Sequence, residues 1–446
     1  MRKESATLRT ARVLLVILLV IGSSPLPGWT SNPQVIATTP RSGDGGVASG
    51  QTEIRVAFDQ PMDPSSYSFI TLGSGFPQVA GEPYWVNEFT IALPVHLEPG
   101  QGYWLLINSP NTTGFRSRLG EPAVPYLLAF GTADGPDFAD LDEAQATRNR
   151  KAYDQVAEIM TVYYSYKDRL GIDWAEQLAK AREWLLSSPT DFLFGVRLLD
   201  VLAPANDPHL LVGINGVNLP TVWTMPTANF NLQAVVTKLA NVQRWSPAVI
   251  TGETEAIGYI LIGGWVPEAA VAAQAIDAFR DKAAIIIDVR PNPGGDERIA
   301  QYVAGCFTDR TVDYAISRTL DPETREFTLS RVRTLYPNPE CELYSGEVIV
   351  LTGPQVMSSN ESFLLMMRES GATLVGAPSY GSSGNPRPYE LDNGLILHVP
   401  QWQDMDINGR LVEGNGITPD ILLEFAPDQF ISGDPVFDAA VDLIGG

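Results

Sequence analysis

Residues 347–363 read Glu347-Val348-Ile349-Val350-Leu351-Thr352-Gly353-Pro354-Gln355-Val356-Met357-Ser358-Ser359-Asn360-Glu361-Ser362-Phe363. After Glu347 comes an apolar run of strand length, the pattern of a strand covered on both faces. Gly353-Pro354 ends it, and a helix is expected over Ser359 to Glu369. Ser358 therefore stands at a strand–loop–helix junction. A hydroxyl there lies beside helix N–H groups that have no partner within the helix and that favour negative charge. The same letters, Ser358-x-x-Glu361, also spell a capping box, which taken alone would account for the serine.

Working outward, strands alternate with helices from residue 256 onward. Ile257 to Ile262 reads as a strand, Pro267 to Phe279 as an Ala-rich helix, and Ala283 to Val289 as a second buried strand. Glu297 to Cys306 reads as a helix. This alternation predicts an α/β core with parallel pairing. The second buried strand runs into Asp288-Val289-Arg290-Pro291-Asn292-Pro293-Gly294-Gly295. A Gly pair in a strand-to-helix turn can expose backbone N–H groups to an oxyanion, although a plain tight turn has the same letters.

The N-terminal half differs. Residues 139–205 carry a helical pattern, with Tyr153, Val156, Ile159, Met160 and Tyr163 at steps of mostly three and four. Further helices are expected from Asp173-Trp174 to Leu186 and from Asp191 to Leu202. Residues 133–138 read as a linker. Residues 32–134 read as all-β, with short runs at Glu53–Phe58, Phe89–Leu93 and Tyr103–Ile107 separated by Pro, Gly, Asn and Asp, the pattern of a sandwich. The stretches Ile54 to Asp63 and Tyr126 to Thr132 resemble the bacterial Ig-like domain of exported proteins. That resemblance implies a spacer or adhesive module.

Composition narrows the function classes. The chain has 446 residues, 52 Asp plus Glu against 30 Lys plus Arg, and a net charge of −22, which argues against a phosphate-tracking nucleic-acid binder. Three His and two Cys leave little for a zinc site, and no metal or cofactor is expected. Arg2, Lys3, Arg9 and Arg12 precede the apolar run Val13 to Ile21, followed by Gly22-Ser23-Ser24-Pro25. A basic head, a short apolar middle and a small-residue tail predict a signal peptide over 1–30 and hence a secreted or extracytoplasmic protein. The run is shorter than the ~20 apolar residues of a spanning helix, so no membrane span is expected after its removal. In an exported chain, Cys306 and Cys341 are more consistent with a disulfide than with two free thiols.

The C-terminal pieces together resemble the tail-specific, or C-terminal processing, serine peptidases, whose relatives include the tricorn core protease. Ile257-Gly258-Tyr259-Ile260 is similar to the strand opening that family's core, and Asp288 to Gly295 to its Asp-Leu-Arg-x-Asn-Pro-Gly-Gly signature. Ser358-Ser359-Asn360-Glu361 is similar to its Ser-Ala-x-Glu nucleophile segment. Gly376 to Gly381 resembles its Gly-x-x-Thr-x-Gly stretch with Ser379 for Thr, and Glu413-Gly414-Asn415-Gly416-Ile417-Thr418-Pro419-Asp420 its closing motif. The matches run in the family's order, and with the helical part they cover 140–425. The resemblance implies a multidomain chain: an Ig-like sandwich over 32–134, a helical subdomain over 139–205, and an α/β peptidase core over 206–430 with a Clp-protease/crotonase-like fold. It further implies Ser358 as nucleophile, with the N–H groups of Ser359 and of Gly294 or Gly295 as oxyanion donors, and a peptide or protein as substrate.

The chain departs from the family in one respect that bears on mechanism. Many members use a Ser–Lys dyad with the Lys after the Gly376 segment. Here Gly381 is followed by Ser382, Ser383 and Gly384, and no Lys occurs after Lys282. A base must come from elsewhere, and neutral His suits a hydroxyl nucleophile near pH 7. His96 lies in the Ig-like part and His398 within a strand. His209, in Asp207-Pro208-His209, matches the Asp-x-His of the tricorn-like subgroup. Glu413 matches that subgroup's acid, with Asp420 and Asp207 as competitors for the imidazole's other nitrogen. These features predict an exported serine endopeptidase. The missing Lys leaves a second reading, a peptidase-fold protein that binds peptides or other ligands without cleaving them. A third, weaker one is an esterase on the same core.

Overall fold

The computed structural model describes residues 32–445, apart from 72–74, 110–111, 119, 134–140, 223–225 and 322. The expected signal peptide lies outside the described residues. Residues 32–133 form two facing antiparallel sheets. One carries Gly50–Phe58 between Val35–Thr39 and Thr90–Leu97, with Gln78–Val79 and Tyr84–Asn87 also on Thr90–Leu97. The other has the order Phe69–Thr71, Gly102–Ile107, Tyr126–Gly131. Alternate residues, among them Ile54, Val56, Phe58, Ile91, Leu93 and Val95, turn inward onto Leu105, Phe115 and Phe130. The period-two pattern read in the sequence is this inner face.

Three helices follow: Glu143–Glu158, which runs into a π-turn over Ile159–Tyr163, then Trp174–Leu186 and Asp191–Leu202. Each starts where a short polar side chain can take a free N–H. Asp142 accepts from Gln145, Asp173 from Glu176 and Thr190 from Leu193. These helices share one core with a four-stranded sheet of order Val217–Pro220, Leu211–Ile214, Ile396–Pro400, Pro386–Glu390. Two of its strands come from residues nearly two hundred positions further on.

The C-terminal core is a seven-stranded sheet. Its order is Ala240–Ser246, Val249–Glu253, Ile257–Ile262, Ala284–Asp288, Glu347–Thr352, Thr373–Gly376, Ile421–Leu422. From Ile257–Ile262 onward neighbouring strands are parallel. Glu297–Ala304 and Ser359–Glu369 pack on one face and Pro435–Gly445 on the other. Burial on both faces is why these strands read as continuous apolar runs. The register sets Leu261 beside Asp288 and Asp288 beside Leu351, so the chain leaves both central strands at the same sheet edge. Loops at the carboxyl ends of such strands are where α/β folds build sites.

Two local expectations differ. The Pro267–Phe279 stretch is a 3₁₀ turn, Pro267–Val271, running into a short helix, Ala272–Asp277. Residues 306–341, where the sequence reading placed no strand, contain a hairpin, Val312–Thr319 with Arg331–Leu335, that pairs through Val312–Thr319 with Trp402–Asp406. Cys306 and Cys341 are bonded, with Cα atoms 5.2 Å apart, as preferred from their even count. No helix among the described residues is long and apolar enough to cross a membrane.

Candidate active site

The turn after Ala284–Asp288 is held by a buried ion network. The Asp288 carboxylate accepts from Tyr259 Oη at 2.9 Å and from Arg290 at 2.9 and 2.6 Å. Arg290 also reaches Asp434 at 2.8 Å, and its guanidinium lies over the Phe230 ring. All three charged side chains are fully buried. Asn360, on the Ser359–Glu369 helix, donates to the carbonyls of Val289 and Asn292 at 3.0 and 2.9 Å, and Trp265 donates to Asn360. These bonds hold Gly294 and Gly295 against the Ser358 turn. Their φ values are 113° and 133°. A Cβ on Gly294 would lie 2.7 Å from Cβ of Ser358, and one on Gly295 2.2 Å from the Trp265 carbonyl. Only glycine fits either position.

Ser358 has φ 59° and ψ −133°, not the extended geometry of an ordinary N-cap. A non-glycine residue at positive φ stores strain, and such strain gathers at functional sites. The turn is pinned by its N–H, which donates to the Ser382 carbonyl at 2.8 Å and to Oε2 of Glu361 at 3.2 Å. Glu361 is fully buried and also accepts from Ser379 Oγ at 2.5 Å, Gly381 N–H at 2.8 Å and Ser382 N–H at 3.0 Å. Burial pushes its carboxyl up to about 8, with those donors pulling the other way. Beyond closing the cap, Glu361 fastens the Ser358 turn to the 379–382 loop. Ser358 faces a cavity of about 500 Å³, whose walls include Gly295, Ser359, Ser383, Trp402 and Asp404.

His209 follows a tight turn in which Asp207 accepts its backbone N–H at 2.9 Å and takes the Tyr164 hydroxyl at 2.9 Å. Nδ1 of His209 lies 2.8 Å from Oγ of Ser382. Among the described residues no hydrogen bond joins His209 to Ser358 directly; both are bonded to Ser382. Burial pushes the imidazole below its ordinary value, and the nearby Asp207 carboxylate opposes that. Glu413 does not meet the imidazole through any hydrogen bond among the described residues. Its Oε2 accepts from Ser383 N–H at 2.7 Å, and Arg169 stands 3.8 Å from its Oε1. Burial, reinforced by Asp207, pushes its carboxyl well up. Asp420, the other competitor, accepts from Leu374 N–H and pairs with Arg368 at the surface. Of the two candidate glycine donors, Gly294 already gives its N–H to Oδ1 of Asn292 at 2.8 Å. Ser359 is the first residue of its helix, where N–H groups have no intrahelical acceptor.

The other histidines are remote in role: His96 sits on a sandwich strand 3.5 Å from Glu98, and half-buried His398 lies in Ile396–Pro400. No cluster of three or more His, Cys, Asp or Glu among the described residues could hold a metal ion. Sequence reading missed the contacts of Ser382 with His209, Ser358 and Glu361. Their signal was present, since Ser382 directly follows Gly381 in the segment where the resembling family carries its Lys.

A serine at the strained N-terminus of a helix is faced by a glycine turn from the neighbouring parallel strand, at the carboxyl edge of an α/β core. Residues 256–423 match Peptidase family S41, and residues 30–132 match the Bacterial Ig-like domain. The chain thus carries an S41 peptidase domain behind a bacterial Ig-like domain. Tricorn protease of Thermoplasma acidophilum is 27% identical over 164 residues, 36% of this chain and 14% of that protein. Among solved structures, a candidate peptidase from Parabacteroides merdae ATCC 43184 aligns with TM-score 0.59 at 20% identity, covering 67% of this chain and 97% of that one. Mature CPAF aligns with TM-score 0.51 at 13% identity, covering 68% and 98%. At these identities the two structures speak for the fold alone.

Proposed function

We propose that this protein is an exported serine endopeptidase of the tail-specific kind, with Ser358 as nucleophile and His209 as base. The observation that carries the reading is Ser358 itself, held at φ 59° on the cavity wall with Gly294 pressed against it. In this reading His209 takes the hydroxyl proton of Ser358 as Oγ bonds to the scissile carbonyl carbon. Catalytic hydrogen bonds are often loose without substrate and tighten in the complex. The oxyanion faces the N–H groups of Ser359 and Gly295, Gly294 being engaged by Asn292. The proton then passes to the leaving amine, and water releases the acyl group. Each backbone donor contributes on the order of 3 kcal/mol to the barrier when aimed at the developing charge. Export is supported by the basic-apolar leader in the sequence and by the Cys306–Cys341 bond, since disulfides persist outside reducing compartments. Fractionation of cells making the full chain tests that part: a cytoplasmic protein with the leader intact contradicts it.

Casein cleavage and labelling by a fluorophosphonate probe test the chemistry. The wild-type chain is expected to cleave and to be labelled at Ser358, and Ser358→Ala to lose both. A folded wild-type chain that neither cleaves nor labels would instead be a binding protein on a peptidase fold.

A further inference from the structure

We propose that Ser382 is the positioning residue of this site, the group that among the described residues ties base to nucleophile; the proposal rests on Ser358 and His209 acting as described above. Three parts of this buried residue are committed. Its Oγ lies 2.8 Å from Nδ1 of His209, its carbonyl accepts the Ser358 N–H at 2.8 Å, and its N–H donates to Oε2 of Glu361 at 3.0 Å. The next amide, Ser383 N–H, donates to Oε2 of Glu413 at 2.7 Å. Two buried carboxylates thus clamp successive amides of one segment, and Oγ of Ser382 has little freedom to move. On this geometry Glu413 acts on the imidazole through the segment, at one remove.

The hydroxyl's use follows from imidazole chemistry. A neutral imidazole has one N–H and one lone pair, and a serine hydroxyl can pair with either, so the proposal is that Oγ of Ser382 accepts from Nδ1–H. With Nδ1–H donated to Oγ of Ser382, the lone pair sits on Nε2, the form a base requires. Nε2 takes the Ser358 proton as the C–O bond forms. The imidazolium keeps Nδ1–H on Ser382, and Nε2 returns the proton to the amine as the C–N bond breaks. A hydroxyl steers but does not neutralise the imidazolium. The charges around the ring are the Asp207 carboxylate on its own turn and, beyond it, Glu413 with Arg169.

Ser382→Ala and Ser382→Thr in the full chain, assayed on one peptide that the wild type cleaves, test the role. Ser382→Ala should lower kcat about 100-fold with KM within about twofold, the low end for a displaced acid–base group. Ser382→Thr, which keeps the hydroxyl, should recover at least about tenfold of that loss. Imidazole ¹⁵N NMR, with His209→Gln for assignment, should show wild-type His209 protonated on Nδ1 and an Nε2–H population in Ser382→Ala. Wild-type kcat in folded Ser382→Ala, or a wild-type His209 protonated on Nε2, overturns the proposal. If Ser382→Ala fails to fold, the wild-type spectrum decides. Fluorophosphonate labelling separates the two readings: an unlabelled wild type defeats the Ser358–His209 assignment, whereas a labelled wild type with an indifferent Ser382→Ala defeats only the role of Ser382.

Discussion

At residue scale the site depends on atoms brought closer than most side chains allow. Gly294→Ala puts a methyl 2.7 Å from Cβ of Ser358 at a backbone φ of 113°. One of the two turns must move. A 1 Å displacement of a reacting group can cost on the order of 100-fold in rate, and the strained backbone about 1–3 kcal/mol of stability. Peptide kinetics with a thermal melt should show at least that loss in kcat, with a smaller fall in Tm. The pH profile carries a sign. In the proposed mechanism activity needs neutral His209, and burial holds its pKa below the ordinary 6.5. The acid limb of kcat/KM is therefore expected below pH 6.5; a limb above it would mean that another group titrates or that His209 is charged in the resting site.

At element scale, the strand ends are held by charge inside the fold. Arg290→Met would leave Asp288 and Asp434 buried without their cation. Breaking a buried pair from one side costs about 3–5 kcal/mol, because the remaining charge is uncompensated. Urea unfolding should show a loss of that size, and a loss under about 1 kcal/mol would mean that water reaches the network. The helix Glu297–Ala304 is joined to the segment before Glu347–Thr352 by Cys306–Cys341, 35 residues apart. Opening a loop of that length costs about 3–4 kcal/mol in the chain-entropy account. Cys341→Ser should lower the denaturation midpoint accordingly.

At the scale of the whole molecule, the Ig-like sandwich is packed into the helical region. Trp104 stacks 5.2 Å from Phe192 and belongs to the same core as Phe194 and Leu198. Trp104→Ala removes a large buried side chain at that junction, at a cost of about 3–5 kcal/mol. Calorimetry should show one transition in the wild type separating into two in the variant, with kcat on a short peptide little changed.

Legibility followed the range of the forces. The parallel strands were readable because burial on both faces leaves an apolar run, and the helix starts because a capping side chain acts within three residues. Ser358 and the Asp288–Gly295 turn were readable because each element's own letters carry its constraint. The strand Ala240–Ser246 was not, since its exposed edge residues show no apolar alternation. Nor was the sheet that joins Leu211–Ile214 to Ile396–Pro400, whose pairing is set by distant partners.

The sequence by itself determined the α/β core, the sandwich, the candidate nucleophile and the absence of a following Lys, all properties of short segments. Only the tertiary structure decided what touches the imidazole. Ser382 meets His209 across 173 positions, and the carboxylate matched by resemblance, Glu413, meets the neighbouring amide instead. Hydrogen bonds hold only within about 3.2 Å, and no local pattern in the chain encodes which distant residue arrives inside that distance.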